Sequence, residues 1–142
     1  MSIKIVVDTN VFIGALIGKS GTANREVLRR CLQGKYQPLM GNALFAEYSE
    51  VMNRDDIKQK CPLSSQKKAD LLADFLAVCQ WVKVFYLWRP NLGDESDNHL
   101  IELAVAGNAQ IIVTRNIKDL NRAQLLFPQI KILQPEEIIN IN

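Results

Sequence analysis

The stretch IKIVVDTNVF, residues 3–12, decides how the chain is read. Ile3 to Val7 make a strand-length run rich in β-branched residues, and it ends against a carboxylate. Asp8 is followed at once by Thr9 and Asn10, and then by the apolar positions of a helix. An Asp in that place suits a helix cap. It equally suits the carboxyl end of a buried strand, where α/β sheets gather their ligands.

Strand-like runs recur at 3–7, 36–40, 81–86, 110–114 and 131–133. Helical periods lie between them, over 11–16, 23–33, 43–53, 66–79, 97–106 and 117–125. The closing QPEEII starts a short last helix, with Pro135 in its first turn. This alternation predicts an α/β domain around a mainly parallel sheet. Pro38 marks the second strand as an edge or an end. The 142 residues hold no repeat, low-complexity tract or Pro/Gly-rich linker, so 1–142 is expected to be a single domain.

Seventeen basic and 15 acidic residues leave a net charge of +2, which permits a local basic patch and demands none. Cys31, Cys61 and Cys79 are widely spaced, form no zinc pattern and fit reduced thiols. His99 is the single histidine, so a Ser-His-Asp or Cys-His hydrolase would depend on it alone. No leader pattern or bilayer-length apolar run is present; a cytoplasmic protein without membrane contact is expected. GALIGKS, residues 14–20, resembles a phosphate loop, but one residue is missing between its glycines and it follows a helix.

Polar residues directly after the strands matter most: Asp8, Thr9 and Asn10 after the first, and Thr114, Arg115 and Asn116 after the fourth. In NALFAEYSEVM, Leu44, Phe45, Tyr48, Val51 and Met52 form one stripe at helical period. Glu47 borders that stripe and Glu50 points away from it. Asp97 shares a helix side with Leu100, Ile101 and Ala104, whereas Glu102 faces the other way. Asn116 suits a helix cap, and Asp119 follows one turn later. Each acid has an ordinary reading, as a cap, a helix-terminus charge or a surface charge. Together, Asp8, Glu47 and Asp97 come from three βα segments to one end of one sheet. Such carboxylates repel one another, and burial raises their pKa. A divalent cation removes that penalty, and oxygen donors suit Mg²⁺ or Mn²⁺. The cation would also stabilise charge on a phosphodiester oxygen.

These residues resemble a PIN domain. IVVDTNVFIGAL is similar to that family's opening motif and NALFAEYSEVMNR to its second, centred on an inward Glu. DESDNHLIELAVAGNAQIIVTRNIKDL resembles the third and fourth motifs in order, and IKILQPEEII its close. The resemblance covers essentially the whole chain and is strongest to bacterial toxin components of toxin–antitoxin systems. It implies a three-layer, Rossmann-like α/β/α sandwich and a metal-dependent ribonuclease. Carried over, Asp8, Glu47 and Asp97 are the metal ligands, with Mg²⁺ or Mn²⁺ as cofactor, and Asn116 fills a fourth position that is often Asp. Thr9 and Asn10 fall on polar positions that orient ligands or waters; Thr114 and Asp119 support them. His99 has no matching role and is expected to be exposed.

The leading reading is therefore an endoribonuclease toxin with an RNA substrate and a cognate antitoxin, its phosphate contacts drawn from Arg115, Lys118, Arg122 and Lys19. A homodimer is suggested by the resemblance alone. The alternatives are a non-catalytic nucleic-acid-binding or regulatory module, which Asn116 favours, and a structure-specific DNA nuclease.

Overall fold

The computed structural model describes residues 2–18, 22–84, 95–118, 120 and 127–141, with the side chains of 95–98 outside that set. Five strands, β1 (Ile3–Val7), β2 (Tyr36–Met40), β3 (Gln80–Trp81), β4 (Ile111–Val113) and β5 (Lys131–Leu133), form one sheet. Their order is β3-β2-β1-β4-β5, and every pairing is parallel. The helices are α1 (Thr9–Ile17), α2 (Ala23–Leu32), α3 (Asn42–Met52), α4 (Asp55–Lys60), α5 (Ser65–Val78), α6 (Glu95–Gly107) and α7 (Pro135–Ile138). The architecture is the α/β/α sandwich with a parallel central sheet that the alternating pattern predicts.

Parallel strands covered on both faces need apolar residues in succession. Ile5, Val6 and Val7 meet that demand and have no exposed surface. From β1 the chain builds outward through β2 and β3, then returns to β1's other side as β4. The reversal puts a topological switch point between β1 and β4, and ligands in open sheets bind in such a crevice. Val7 pairs with Val113, so the residues that follow, Asp8 and Thr114, stand side by side. Asp8 N–H donates to Val113 O at 3.0 Å, and Thr114 N–H to Leu133 O at 3.0 Å.

Several boundaries differ from the pattern-based expectation. The third strand is only Gln80–Trp81, and residues 85 and 86 lie outside the described set. β2 is flanked on both sides and holds Pro38 at its centre, although Pro38 suits an edge or an end. The cause is the short β3, which pairs only with Leu39 and Met40, so that Pro38 pairs with β1 alone among the described residues. The fourth strand is Ile111–Val113. Helix α4 breaks the long stretch after α3, a six-residue turn too short to leave a periodic signature. Gly14 lies within α1, which removes the phosphate-loop reading; Lys19 and Ser20 lie outside the described residues. Most of the helix expected at 117–125 does so too.

Three aromatic rings hold the helices over β1. Phe12 of α1 packs on Tyr48 of α3 at 5.3 Å and on Phe75 of α5 at 5.5 Å, and Tyr48 stacks on Phe75 at 6.0 Å. The buried Tyr48 hydroxyl donates to Val7 O at 2.7 Å, which ties α3 to the end of β1. At the far end of α6, a Cβ on Gly107 would meet Leu39 Cδ1 at 2.5 Å and Val82 Cγ2 at 3.0 Å, so the helix sits on β2 as only glycine allows. Tyr48→Phe keeps the ring packing and removes the bond to Val7. It is expected to lower unfolding free energy by about 1 kcal/mol in chemical denaturation; an unchanged midpoint and slope would show that the bond contributes nothing.

Candidate active site

Asp8 is the N-cap of α1, in extended backbone, and its Oδ1 accepts the Thr9 N–H at 2.7 Å. Thus the cap reading is correct. It accounts for only half of the carboxylate. Oδ2 accepts the Thr114 hydroxyl at 2.8 Å and the Asn10 amide Nδ2 at 3.3 Å. The Thr114 hydroxyl, itself fully buried, also accepts from Asn10 Nδ2 at 3.3 Å and from the Asn116 N–H at 3.0 Å. The Arg115 N–H donates to Asn10 Oδ1 at 3.1 Å. One hydroxyl therefore joins the loops after β1 and β4 around a carboxylate that is 6 % exposed.

Glu47 reaches this cluster from α3. Thr9 Oγ1 donates to Glu47 Oε1 at 2.9 Å and lies 3.4 Å from Asp8 Oδ1, so the two carboxylates are separated by a single hydroxyl. Burial pushes the Asp8 carboxyl above the ordinary value; the Thr114 hydrogen bond opposes the rise and the charge of Glu47 adds to it. The Glu47 carboxyl is instead lowered, chiefly by its bond to His99, against its own partial burial.

His99 corrects the sequence reading. It is not exposed: its side chain is 14 % accessible, and Nε2 lies 2.6 Å from Glu47 Oε2. Glu102 is also buried, 3 % exposed, where the helical projection gave it a solvated face. The reason is that α6 touches β1, β2, β4 and α3. A projection that assumes one wet face fails for a helix enclosed on several sides. His99, Glu102 and Leu103, at i, i+3 and i+4, line a cavity of about 120 Å³ with Gly41 and Asn42 at the start of α3. A signal was available: an inward Glu47 needs a hydrogen-bond partner, and the one histidine of the chain stands two residues after Asp97. Glu50, by contrast, is exposed and near Arg54, as its projection implies.

The remaining expected residues divide. The Asp97 backbone lies in the first turn of α6, and its side chain is outside the described residues. Asp119, Arg122 and Lys19 are outside them as well. Asn116 is tied to the cluster through its backbone, and its side chain is exposed. Lys118 is exposed. Arg115 is engaged: its guanidinium donates to Asn24 Oδ1 at 2.9 and 3.1 Å and pairs with Glu136. A phosphate there would have to displace Glu136.

The donor set suits a divalent cation. Asp8 and Glu47 offer hard oxygens, and Asp8 bears the cost of desolvation and of a second carboxylate nearby. Among the described residues no three His, Cys, Asp or Glu side chains converge at metal distance. The side chain of Asp97, the third ligand that the resemblance implies, lies outside that set.

A PIN domain model matches residues 4–118. Comparison with curated proteins gives no match. Among solved structures, the chain is similar to one in the crystal structure of VapBC2 from Rickettsia felis bound to a DNA fragment from their promoter, at 19 % identity. That superposition covers 93 % of this chain and 98 % of the other, with a TM-score of 0.58, a likeness of fold.

Because the folded-state pKa of Asp8 is raised, ionising it costs stability. That cost is absent below the carboxyl's ordinary value of 3.8 and develops as pH rises through that value to the folded-state pKa. Thr114→Val removes the hydrogen bond that limits the rise. It is expected to cost about 1–3 kcal/mol at neutral pH, and less below 3.8. Denaturation at the two pH values checks this; an equal cost at both would disconnect Thr114 from the carboxylate's charge.

Proposed function

The chain belongs to the PIN domain family, whose members are generally nucleases, and from that premise we propose that it is an Mg²⁺- or Mn²⁺-dependent endoribonuclease. One observation carries the reading: the buried Asp8 carboxylate, its pKa raised, stands one hydroxyl from Glu47 at the switch point of a parallel sheet. Two carboxylates so placed repel each other unless a cation stands between them.

When bound, a divalent cation supplies positive charge against a phosphodiester's developing charge and makes a water more acidic. Asp8 and Glu47 would hold it, with Asp97 as third ligand. The Thr114 hydroxyl and Asn10 amide fix the rotamer of Asp8 by hydrogen bonds to Oδ2. Thr9 spaces the two carboxylates. Asn116 and Asp119 would add polar groups from the segment that follows β4. Lys118, Lys19, Arg122 and, once released from Glu136, Arg115 would hold the RNA backbone through phosphates, giving affinity without sequence choice.

In the same reading the protein is a toxin with a cognate antitoxin, acts in the cytoplasm and pairs as a homodimer. Two observations support a protein partner: the fold likeness to a chain of the Rickettsia felis VapBC2 complex, and an open apolar groove of about 350 Å³. Ala15, Leu28, Leu32, Leu63 and Leu71 line the groove, with Arg25 and Arg29 beside them. No helix among the described residues is long and apolar enough to cross a membrane.

Glu47→Gln tests the function. The amide can still accept from Thr9 and meet His99, so the fold is expected to persist. Cleavage of single-stranded RNA in Mn²⁺ is expected to fall on the order of a hundredfold or more. Single-stranded DNA run beside it separates the RNA from the DNA reading, and RNA binding without cleavage in any divalent metal would support the non-catalytic one. Full activity in the folded variant would remove Glu47 from the mechanism.

A further inference from the structure

Glu47 is held by more than the Thr9 hydroxyl. Its Oε1 accepts from Thr9 Oγ1 at 2.9 Å, but that hydroxyl carries a single hydrogen and also lies 3.4 Å from Asp8 Oδ1. One shared hydroxyl does not fix a side chain as long as glutamate's. The Glu47 side chain is 29 % accessible, and Arg54, an exposed cation between α3 and α4, acts on it electrostatically. The second oxygen decides its place. Oε2 lies 2.6 Å from Nε2 of His99 on α6, whose ring is largely buried. An ionised carboxylate only accepts, so Nε2 is the donor, at the short separation of a charge-assisted bond. His99 Nδ1 is buried without a hydrogen-bond partner among the described residues, so the ring's polar tie to them is the one to Glu47.

We infer that His99 is a positioning residue of the cation site, holding the Glu47 carboxylate beside Asp8 in the orientation that receives the ion. The inference rests on the reading of Asp8 and Glu47 as ligands and goes beyond it, since the PIN resemblance assigns this histidine no role. A carboxylate oxygen has two lone pairs. The bonds from Thr9 and His99 use one on each oxygen and leave one on each unspent. A donor on the outer side of a ligand fixes its rotamer before the metal arrives, so binding energy is not lost in ordering it. Such partners are commonly worth roughly ten- to a hundredfold in metal affinity. The Asp97 backbone stands two residues earlier, in the first turn of the same helix. One helix therefore carries the proposed third ligand and the group that orients the second.

The test compares two replacements of the same reach. Glutamine carries its amide nitrogen as many bonds from Cα as Nε2, so His99→Gln keeps a donor for Oε2; His99→Met has the length and no donor. Mn²⁺ is titrated by calorimetry, at one pH, into the wild type, both variants and Glu47→Gln. His99→Met is expected to weaken Mn²⁺ roughly ten- to a hundredfold, and His99→Gln to recover most of that loss. A histidine that only stabilises the fold would lower the melting temperature and leave Mn²⁺ affinity unmoved. Wild-type affinity in folded His99→Met, beside a loss in Glu47→Gln, overturns the inference and leaves Glu47 a ligand. Equal losses in His99→Met and His99→Gln overturn it as well, since the donor would then not matter. Unchanged affinity in Glu47→Gln removes the ligand reading and the inference together. If His99→Met does not fold, the wild type carries the test. His99 is the chain's single histidine, so its imidazole NMR signals have one source. Titrated Mg²⁺ is expected to shift them along the saturation curve of binding; ring signals that stay still while Mg²⁺ binds would overturn the inference.

Discussion

The bond from the Thr114 hydroxyl to Asp8 Oδ2 is the constraint on which the candidate site depends. It exists because β1 and β4 are adjacent and in a register that pairs Val7 with Val113. A slip of one residue would turn Thr114 to the other face of the sheet and leave a buried carboxylate with fewer donors. The same hydroxyl accepts from Asn10 and from the Asn116 backbone, so its donor and acceptor capacity is used in full. Sheet topology, loop conformation and carboxylate orientation are therefore one problem with one solution.

On the opposite side of the site the balance is electrostatic. Burial raises Asp8's pKa and the charge of Glu47 adds to it, while His99 lowers that of Glu47 by its hydrogen bond. Unlike surroundings move the two carboxyls in opposite directions: Asp8 upward by burial, Glu47 downward by its bond to His99. Tyr48 makes this geometry reproducible, since its hydroxyl fastens α3 to Val7, one residue before Asp8. The aromatic packing of Phe12, Tyr48 and Phe75 reaches the chemistry through that bond.

Much of this was legible in the sequence, for physical reasons that differ by element. Ile3–Val7 announced a buried strand because parallel sheets need successive apolar residues, which Ile5, Val6 and Val7 supply. Asp8, Thr9, Asn10 and Thr114 could be placed together because residues after parallel strands share one end of the sheet. What failed was burial on α6. His99 and Glu102 read as solvated because a periodicity argument sees only the main apolar stripe, whereas α6 is enclosed by three strands and α3.

The central claim is that Asp8 is the hub of a cation site and more than the cap of α1. Titration calorimetry of Mn²⁺ into the wild type and into Asp8→Asn addresses it most directly, with far-UV circular dichroism to establish that α1 persists. An asparagine can still cap with one oxygen, but it brings no charge to a hard cation. The expected result is saturable binding by the wild type and binding weaker by on the order of tenfold or more in the folded variant. Equal affinity for Mn²⁺ in the two proteins would contradict the account and leave Asp8 a helix cap.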